Sequence, residues 1–187
     1  MKPTNIKPHA GSILISEPSL KDRFFNRAVV LLADHTSEGS YGIILNKPLD
    51  TKFNDIVKDF PSFDSRVFLG GPVNTENLFF LHRKGDLITN SQEIKQGLYW
   101  GGDIDDVKKL IDSKLLKPQD IRFYIGYSGW SKNQLEDELK ETSWLVDNPN
   151  IQDLINTVSS EMWKYSVKRL GKEYEIWANF PQDPSMN

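Results

Sequence analysis

The stretch GYSGWSKNQLEDEL, Gly126 to Leu139, holds the residues with the plainest claim to chemistry. A Gly-x-Ser-x-Gly nucleophile elbow needs small residues on both sides of its serine, because the chain turns sharply there. Gly126 and Ser128 are placed for such a turn, but Trp130 occupies the last position and its indole would crowd it. The same residues read better as a helix start. With Ser131 as N-cap, Gln134 falls at N3 and completes a Ser-x-x-Gln capping box. Trp130 and Leu135 then occupy the two staple positions, and Glu136, Asp137 and Glu138 set negative charge at the positive end of the helix. A cap of this kind contributes on the order of 1 kcal/mol and involves no catalysis.

Other reactive patterns are sparse. His9, His35 and His82 lie far apart, and none falls in a His-Glu-x-x-His helix or another metal-ligand spacing. Asp34-His35 is either a carboxylate orienting an imidazole or a structural surface pair, and the second reading is favoured. Gly70-Gly71-Pro72 follows a strand, so its amides could cradle an anion; a tight turn explains it better. "GGD" at 101 to 103 is explained by a strand end and a helix cap. No Walker loop or Gly-x-Gly-x-x-Gly fingerprint is present, and no carboxylate pair stands out for acid–base work. Lys164, Lys168 and Lys172 recur at four-residue spacing with Arg169 beside them. That stripe suits phosphates, but cations also complement a helix C-terminus, and no RNA-binding motif accompanies it. The aromatics of "LYWGG" and "YEIWANF" read as core or interface residues rather than a stacking platform.

These residues sit on a chain of 187, with 38% hydrophobic and 26% charged residues and a mean hydropathy of -0.50. That is enough to bury a sizeable core in a single domain spanning 1–187, with a core of about 11–171 and a C-terminal arm or tail at 172–187. A net charge of -3 gives no global attraction to nucleic acid or anionic lipid. The absence of cysteine excludes disulfides, thiolate nucleophiles and Cys-ligated metals. The start, Met1-Lys2-Pro3 to Ile15, is too short in apolar residues for a signal peptide, and no other stretch could span a bilayer. The chain therefore reads as cytoplasmic, with no membrane partner.

"SILIS" (12–16), "AVVLLAD" (28–34), "YGIILN" (41–46), "RVFLG" (66–70), "NLFFLHR" (77–83) and "IRFYIGY" (121–127) predict strands, and "HTSEGS" a hairpin link. Asp103 caps a helix through Ile104, Val107 and Ile111. A weaker helix covers 51–60, with Thr51 as cap and Pro61 as its end. The longest helix is expected over about 151–170, capped by Asn150, with Ile151, Leu154, Ile155, Val158 and Met162 as its apolar stripe and Gly171 at its end. Strands cluster early and helices late, which favours α+β over regular βαβ alternation.

Three blocks resemble one family. "FNRAVVLLADHTSEGSYGIILNKPL" (25–49), "LGGPVNTENLFFLH" (69–82) and "IGYSGWSKNQLEDELKETSWL" (125–145) are similar, in order and spacing, to the AlgH/YqgE family of bacterial proteins. The similarity runs from about Gly11 to Gly171. Matches fall on Arg27, His35, Gly42, Asn46 and Pro48, then on Gly70, Gly71, Pro72 and His82. In the third block they fall on Gly126, Tyr127, Trp130, Gln134, Leu135, Glu138 and Trp144. Ser128 and Ser40 stand where that family has alanine, and the C-terminal tail departs from its short ending. The resemblance implies a strongly bent, bifurcated sheet, mixed or antiparallel, that forms a pseudo-barrel flanked by helices. It also implies a cytosolic bacterial protein with no assigned reaction, and suggests transcriptional regulation as one role.

The functional expectation is a regulatory domain that binds a small molecule or a protein partner, without a cofactor or metal. Arg27, His35, Asn46 and His82 are expected to converge with the Gly70-Gly71 turn around one cleft, because all lie at strand ends or turns. Two alternatives stand beside it. One is a DNA-binding regulator using the Lys164–Lys172 stripe, with nucleic acid an admitted but not favoured partner. The other is a hydrolase with His35 or His82 as base.

Overall fold

Branched apolar residues make the first strands, and their alternation decides what covers each face. In the computed structural model, which describes residues 6–20, 22–95 and 97–180, β1 (Ile13–Ser16), β2 (Val29–Thr36) and β3 (Gly39–Ile44) form an antiparallel run. Ile13, Ile15, Val29, Leu31 and Ile43 point to one face; Leu14, Val30, Leu32 and Ile44 point to the other. Both faces are buried, so these strands read as continuous apolar runs instead of alternating ones.

The remaining strands are β4 (Pro48–Lys52), β5 (Arg66–Leu69), β6 (Val73–His82), β7 (Gln92–Lys95), β8 (Leu98–Trp100), β9 (Ile121–Ser131) and β10 (Trp144–Asp147). The path of the sheet is β10-β1-β2-β3-β9-β6-β8-β7, with β5 joined to β9 off that path and β4 joined to β5. β9 is the fork. Its last residues pair antiparallel with β3, while Phe123–Ile125 pair in parallel with Val67–Leu69 and antiparallel with β6. The sheet is thus mixed, bifurcated and curled, but it does not close into a barrel.

Among the described residues, six helices cover it: α1 (Phe53–Ile56), α2 (Ile104–Asp112), α3 (Gln134–Lys140), α4 (Ile151–Asn156), α5 (Ser159–Arg169) and α6 (Glu175–Ala178). Met162, Trp163 and Val167 of α5, with Trp177 and Ala178 of α6, fill one cluster with residues from both limbs of the fork. α1 and α2 cover a phenylalanine-rich cluster in which Phe53 stacks on Phe123 at 4.1 Å between centroids. α3 covers the third cluster through Leu135, against Trp130 and Trp144.

The structure corrects several local expectations. Thr51 belongs to β4, and the helix after it lasts one turn; Asn54 accepts from the Phe63 amide and donates to Pro61, tying the chain into a loop instead. The long helix over 151–170 is two helices, broken at Thr157-Val158, where Val158 has a non-helical ψ of 132°. Two β-branched residues followed by two serines disfavour helix interior and favour a new start. Ser131 ends β9 and does not cap α3; the N-cap is Asn133, in a left-handed conformation with φ of 64°. Half of the expected box survives, since Gln134 Oε1 accepts from the Ser131 amide at 3.0 Å. β4, β7 and β10 are additions to the expected strands, and β8 supplies the strand end expected at 101–103. Asp103 does cap α2, accepting from the Asp105 amide at 2.8 Å. The Met1-Lys2-Pro3 start, the Leu154 side chain and the tail 181–187 lie outside the described residues.

Candidate functional site

Arg27 enters β2 with a φ of 49°, a left-handed conformation that non-glycine residues rarely adopt. Side chains hold it there. Asn46 donates from Nδ2 to the Arg27 carbonyl and accepts at Oδ1 from the Val29 amide, both at 2.9 Å. Ser16 Oγ accepts from the Ala28 amide at 2.9 Å, and Trp163 Nε1 donates to the Ser16 carbonyl at 2.9 Å. The Arg27 guanidinium lies 4.7 Å from the Trp163 ring centroid and donates to the Phe180 carbonyl.

Lys47 stands beside it and donates to the Asn26 carbonyl. Burial, followed by the charge of Arg27, holds the Lys47 ammonium below the usual lysine range. Both cations line a cleft of about 690 Å³ with Asn46, Trp163 and Lys164, opposite Ser159 and Ser160 at the start of α5. Its N-cap, Val158, offers no side-chain hydrogen bond to that helix end. Among the described residues, Glu161 is the one carboxylate in the wall.

The six expected site residues do not share this cleft. Arg27 and Asn46 line it; His82 lines a separate recess of about 140 Å³ with Arg83, Asp120 and Ile155. Gly70 and Gly71 are packed against the backbone of β9, and the Gly70 amide already donates to the Ile125 carbonyl at 2.8 Å. Sequence position suggested strand ends for all of them, but the curl of the sheet sends those ends in different directions. The Gly70-Gly71 turn therefore serves chain packing, and Gly70 has no amide to offer an anion. Lys47 and the α5 start are cleft residues that sequence reasoning missed, whereas Lys164 belongs to the basic stripe singled out from the sequence.

The histidines are committed elsewhere. His82 is 1% exposed; its Nε2 meets the Gly101 carbonyl at 2.9 Å and its Nδ1 accepts from the Lys84 amide at 3.1 Å. That pair of bonds fits the neutral ring protonated on Nε2 and leaves no nitrogen for a substrate. Burial lowers its pKa, more than the Gly101 bond raises it. Because the unfolded histidine titrates near 6.5, the unfolded chain binds the extra proton first as pH falls. Stability should therefore drop from about pH 6.5 downward until the folded ring itself titrates. His82→Gln is expected to cost about 2 kcal/mol at pH 7.5. In urea unfolding at pH 7.5 and 5.5, the gap between wild type and variant should narrow at the lower pH; a constant gap would contradict this account.

His35 has more of a catalytic appearance. Its Nδ1 lies 2.7 Å from Ser40 Oγ, and its Nε2 lies 3.8 Å from Glu136 Oε1. Ser40 is only 7% exposed, however, and pairs with Trp130 on the face covered by α3. The three residues join the β2–β3 hairpin to that helix. Asp34 does not orient the imidazole; it accepts from the His35 main-chain amide at 2.9 Å. Ser128, with no exposure, donates to the Gly70 carbonyl at 3.0 Å and is likewise structural.

Among the described residues, no three His, Asp or Glu side chains converge so as to hold a metal ion. No helix among them is long and apolar enough to cross a membrane. Of the basic stripe, Arg169 is bonded to Asp147 at 3.1 Å, while Lys164 turns toward the cleft.

Comparison with known proteins places the chain. A UPF0301 protein of Bacteroides thetaiotaomicron is 46% identical over 184 residues, covering 98% of this chain and 93% of the relative. Another, of Cytophaga hutchinsonii, is 40% identical and covers 95% and 98%. The solution structure of the AlgH protein from Pseudomonas aeruginosa superposes with a TM-score of 0.73 at 25% identity, over 97% of this chain and 98% of that one. A crystal structure from Corynebacterium diphtheriae gives 0.76 at 19% identity, over 96% and 95%, and so shares the fold. The family model described as DUF179, AlgH-like, matches residues 13–175, and the chain belongs to that family.

Proposed function

We propose that the chain is a binding domain, regulatory rather than catalytic, for a small anion bearing a phosphate or carboxylate, held between Arg27, Asn46, Lys47 and the start of α5. The observation that carries this reading is the placement of Arg27 beside Lys47 at one cleft, where burial and then the charge of Arg27 disfavour the Lys47 ammonium. Like charges held together disfavour their own charged forms, and an anion between them reverses that. The α5 start adds main-chain N–H groups and the positive end of a helix dipole. A cleft of about 690 Å³ suits a metabolite-sized ligand. The Trp163 ring holds the Arg27 guanidinium and Asn46 holds the Arg27 main-chain carbonyl, so little freedom is lost on binding.

Thermal unfolding with inorganic phosphate, sugar phosphates and di- or tricarboxylates, at constant ionic strength, tests the reading. An anion at a hundred times its dissociation constant stabilises by about 2.7 kcal/mol. That corresponds to a rise of roughly 5–10 °C in the midpoint for a chain of this size. Lys47→Gln should fold and bind the same anion at least about tenfold more weakly. Affinity should also fall as pH rises through the lowered Lys47 pKa, below the range of an ordinary lysine, and this dependence should vanish in the variant. A flat panel at millimolar anion, or equal shifts in wild type and Lys47→Gln, would remove the proposal.

A further inference from the structure

A second recess shares no residue with the anion cleft, and its chemistry is the opposite. Tyr41 of β3, Tyr127 of β9, Phe79 of β6 and Trp100 of β8 line a cavity of about 600 Å³. Their rings form a closed circuit of contacts. Tyr41 meets Trp100 at 5.6 Å, Trp100 meets Phe79 at 5.7 Å, Phe79 meets Tyr127 at 5.4 Å and Tyr127 meets Tyr41 at 6.5 Å. Tyr41, Phe79 and Trp100 rest on the core yet stay half-buried, so each keeps ring surface facing outward.

The floor of this recess is a glycine. Gly129 lies on β9, an inner strand of the sheet, and it is exposed. It pairs with Tyr41 and shares a strand face with Tyr127. A methyl added there would meet Tyr127 at 3.4 Å and Val73 at 3.9 Å, ordinary contact distances, so packing does not require the glycine. Ser40 and Trp130 border it through their main chains, since alternation turns their side chains toward α3.

No Lys or Arg is among the described residues that line the recess. Asp34 pairs with Tyr41 across β2 and β3, continuing the same row of the sheet, and makes no salt bridge among the described residues. Burial, and then the field of Asp34, raise the Tyr41 pKa, so the phenol stays neutral while donating to Gln92 at 2.9 Å. Aromatic rings present negative faces, and a nearby carboxylate adds to that potential. From the four-ring circuit, its open glycine floor and the adjacent Asp34 carboxylate, we infer a binding site for an organic cation, an alkylated ammonium group with an apolar body.

The test is an NMR titration of the whole chain, following the Trp100 indole signal. Choline is the probe, and 3,3-dimethyl-1-butanol, which replaces its quaternary nitrogen with carbon, is the neutral match. Choline should bind roughly tenfold more tightly than the neutral alcohol. Asp34→Asn should weaken choline several-fold while leaving the alcohol unchanged. Gly129→Leu, which fills the floor on a backbone any residue adopts, should abolish binding with the fold intact. A peptide bearing one trimethyllysine serves as a second arm: tighter binding of the peptide assigns the site to a partner protein's side chain, and tighter choline binding assigns it to a free amine. Equal binding of choline and the neutral alcohol would overturn the inference. So would a preference for adenine over both, or binding that survives Gly129→Leu.

Discussion

Glu138→Leu is expected to lower stability by about 4 kcal/mol, close to the upper range for a single substitution. One carboxylate oxygen of Glu138, Oε2, accepts from Trp130 Nε1 at 2.8 Å and from Trp144 Nε1 at 2.7 Å; Oε1 accepts from Gln134 at 2.9 Å. Trp130 and Trp144 are 5% and 2% exposed, come from β9 and β10, and lie at opposite ends of the α3 segment. Hydrogen bonds to a charged acceptor contribute about 1.5–3 kcal/mol each, and leucine would leave two buried indole donors without one. Glu138→Gln keeps an oxygen for both indoles but turns an amide toward Gln134, so its cost should be nearer 1–2 kcal/mol. Tryptophan fluorescence in urea reads both variants. A leucine variant that loses under about 1 kcal/mol would mean that the indoles find other acceptors.

This cluster shows what the sequence made legible and what it hid. The Trp130–Leu135 contact and the Gln134-to-Ser131 bond were readable from local spacing, because both lie within one turn of the chain. The resemblance marks Glu138 and Trp144, but local spacing accounts for Glu138 only as negative charge at the helix start and gives no reason for Trp144. Strands such as β1 and β2 were visible because both faces are buried and their residues are almost all branched. β4 and β7 were not, because they are short, carry Pro, Asp, Gln, Glu and Lys, and are fixed as strands by their neighbours; β8 is only three residues long, and the sequence showed no more than its end at 101–103.

Convergence in space was the least legible feature. Arg27 and Lys47 meet because the β2–β3 hairpin returns the chain, and Lys164 joins them only through the docking of α5. A net charge of -3 averages this cationic cleft away. The aromatic recess draws Tyr41, Phe79, Trp100 and Tyr127 from four strands whose order, β3-β9-β6-β8, is not their order in the chain. Trp100, expected from the sequence to be a core or interface residue, packs one side on the core and borders the recess with the other.

Gly70→Ala is expected to exceed about 4 kcal/mol and to leave little folded protein, for a reason separate from backbone conformation. The fork of the sheet brings the β5–β6 connection against β9, main chain to main chain. A methyl at Gly70 would lie 2.2 Å from the Gly126 carbonyl oxygen and 2.7 Å from Ile43 Cγ1. Neither neighbour can retreat. Gly126 has a φ of 68° and its own position packs against the Gly71 carbonyl, while Gly70 is fixed by bonds to Ile125, Ile44 and Ser128. Gly97 is the matched control, with a φ of 77° and nothing within 4 Å of an added methyl. Gly97→Ala suffers only the conformational strain of a left-handed alanine, about 1–2 kcal/mol. Thermal unfolding of the two variants separates contact from conformation. If Gly70→Ala lost no more than Gly97→Ala, the junction would be pliable and its glycines would not be what holds the two limbs of the sheet at β9.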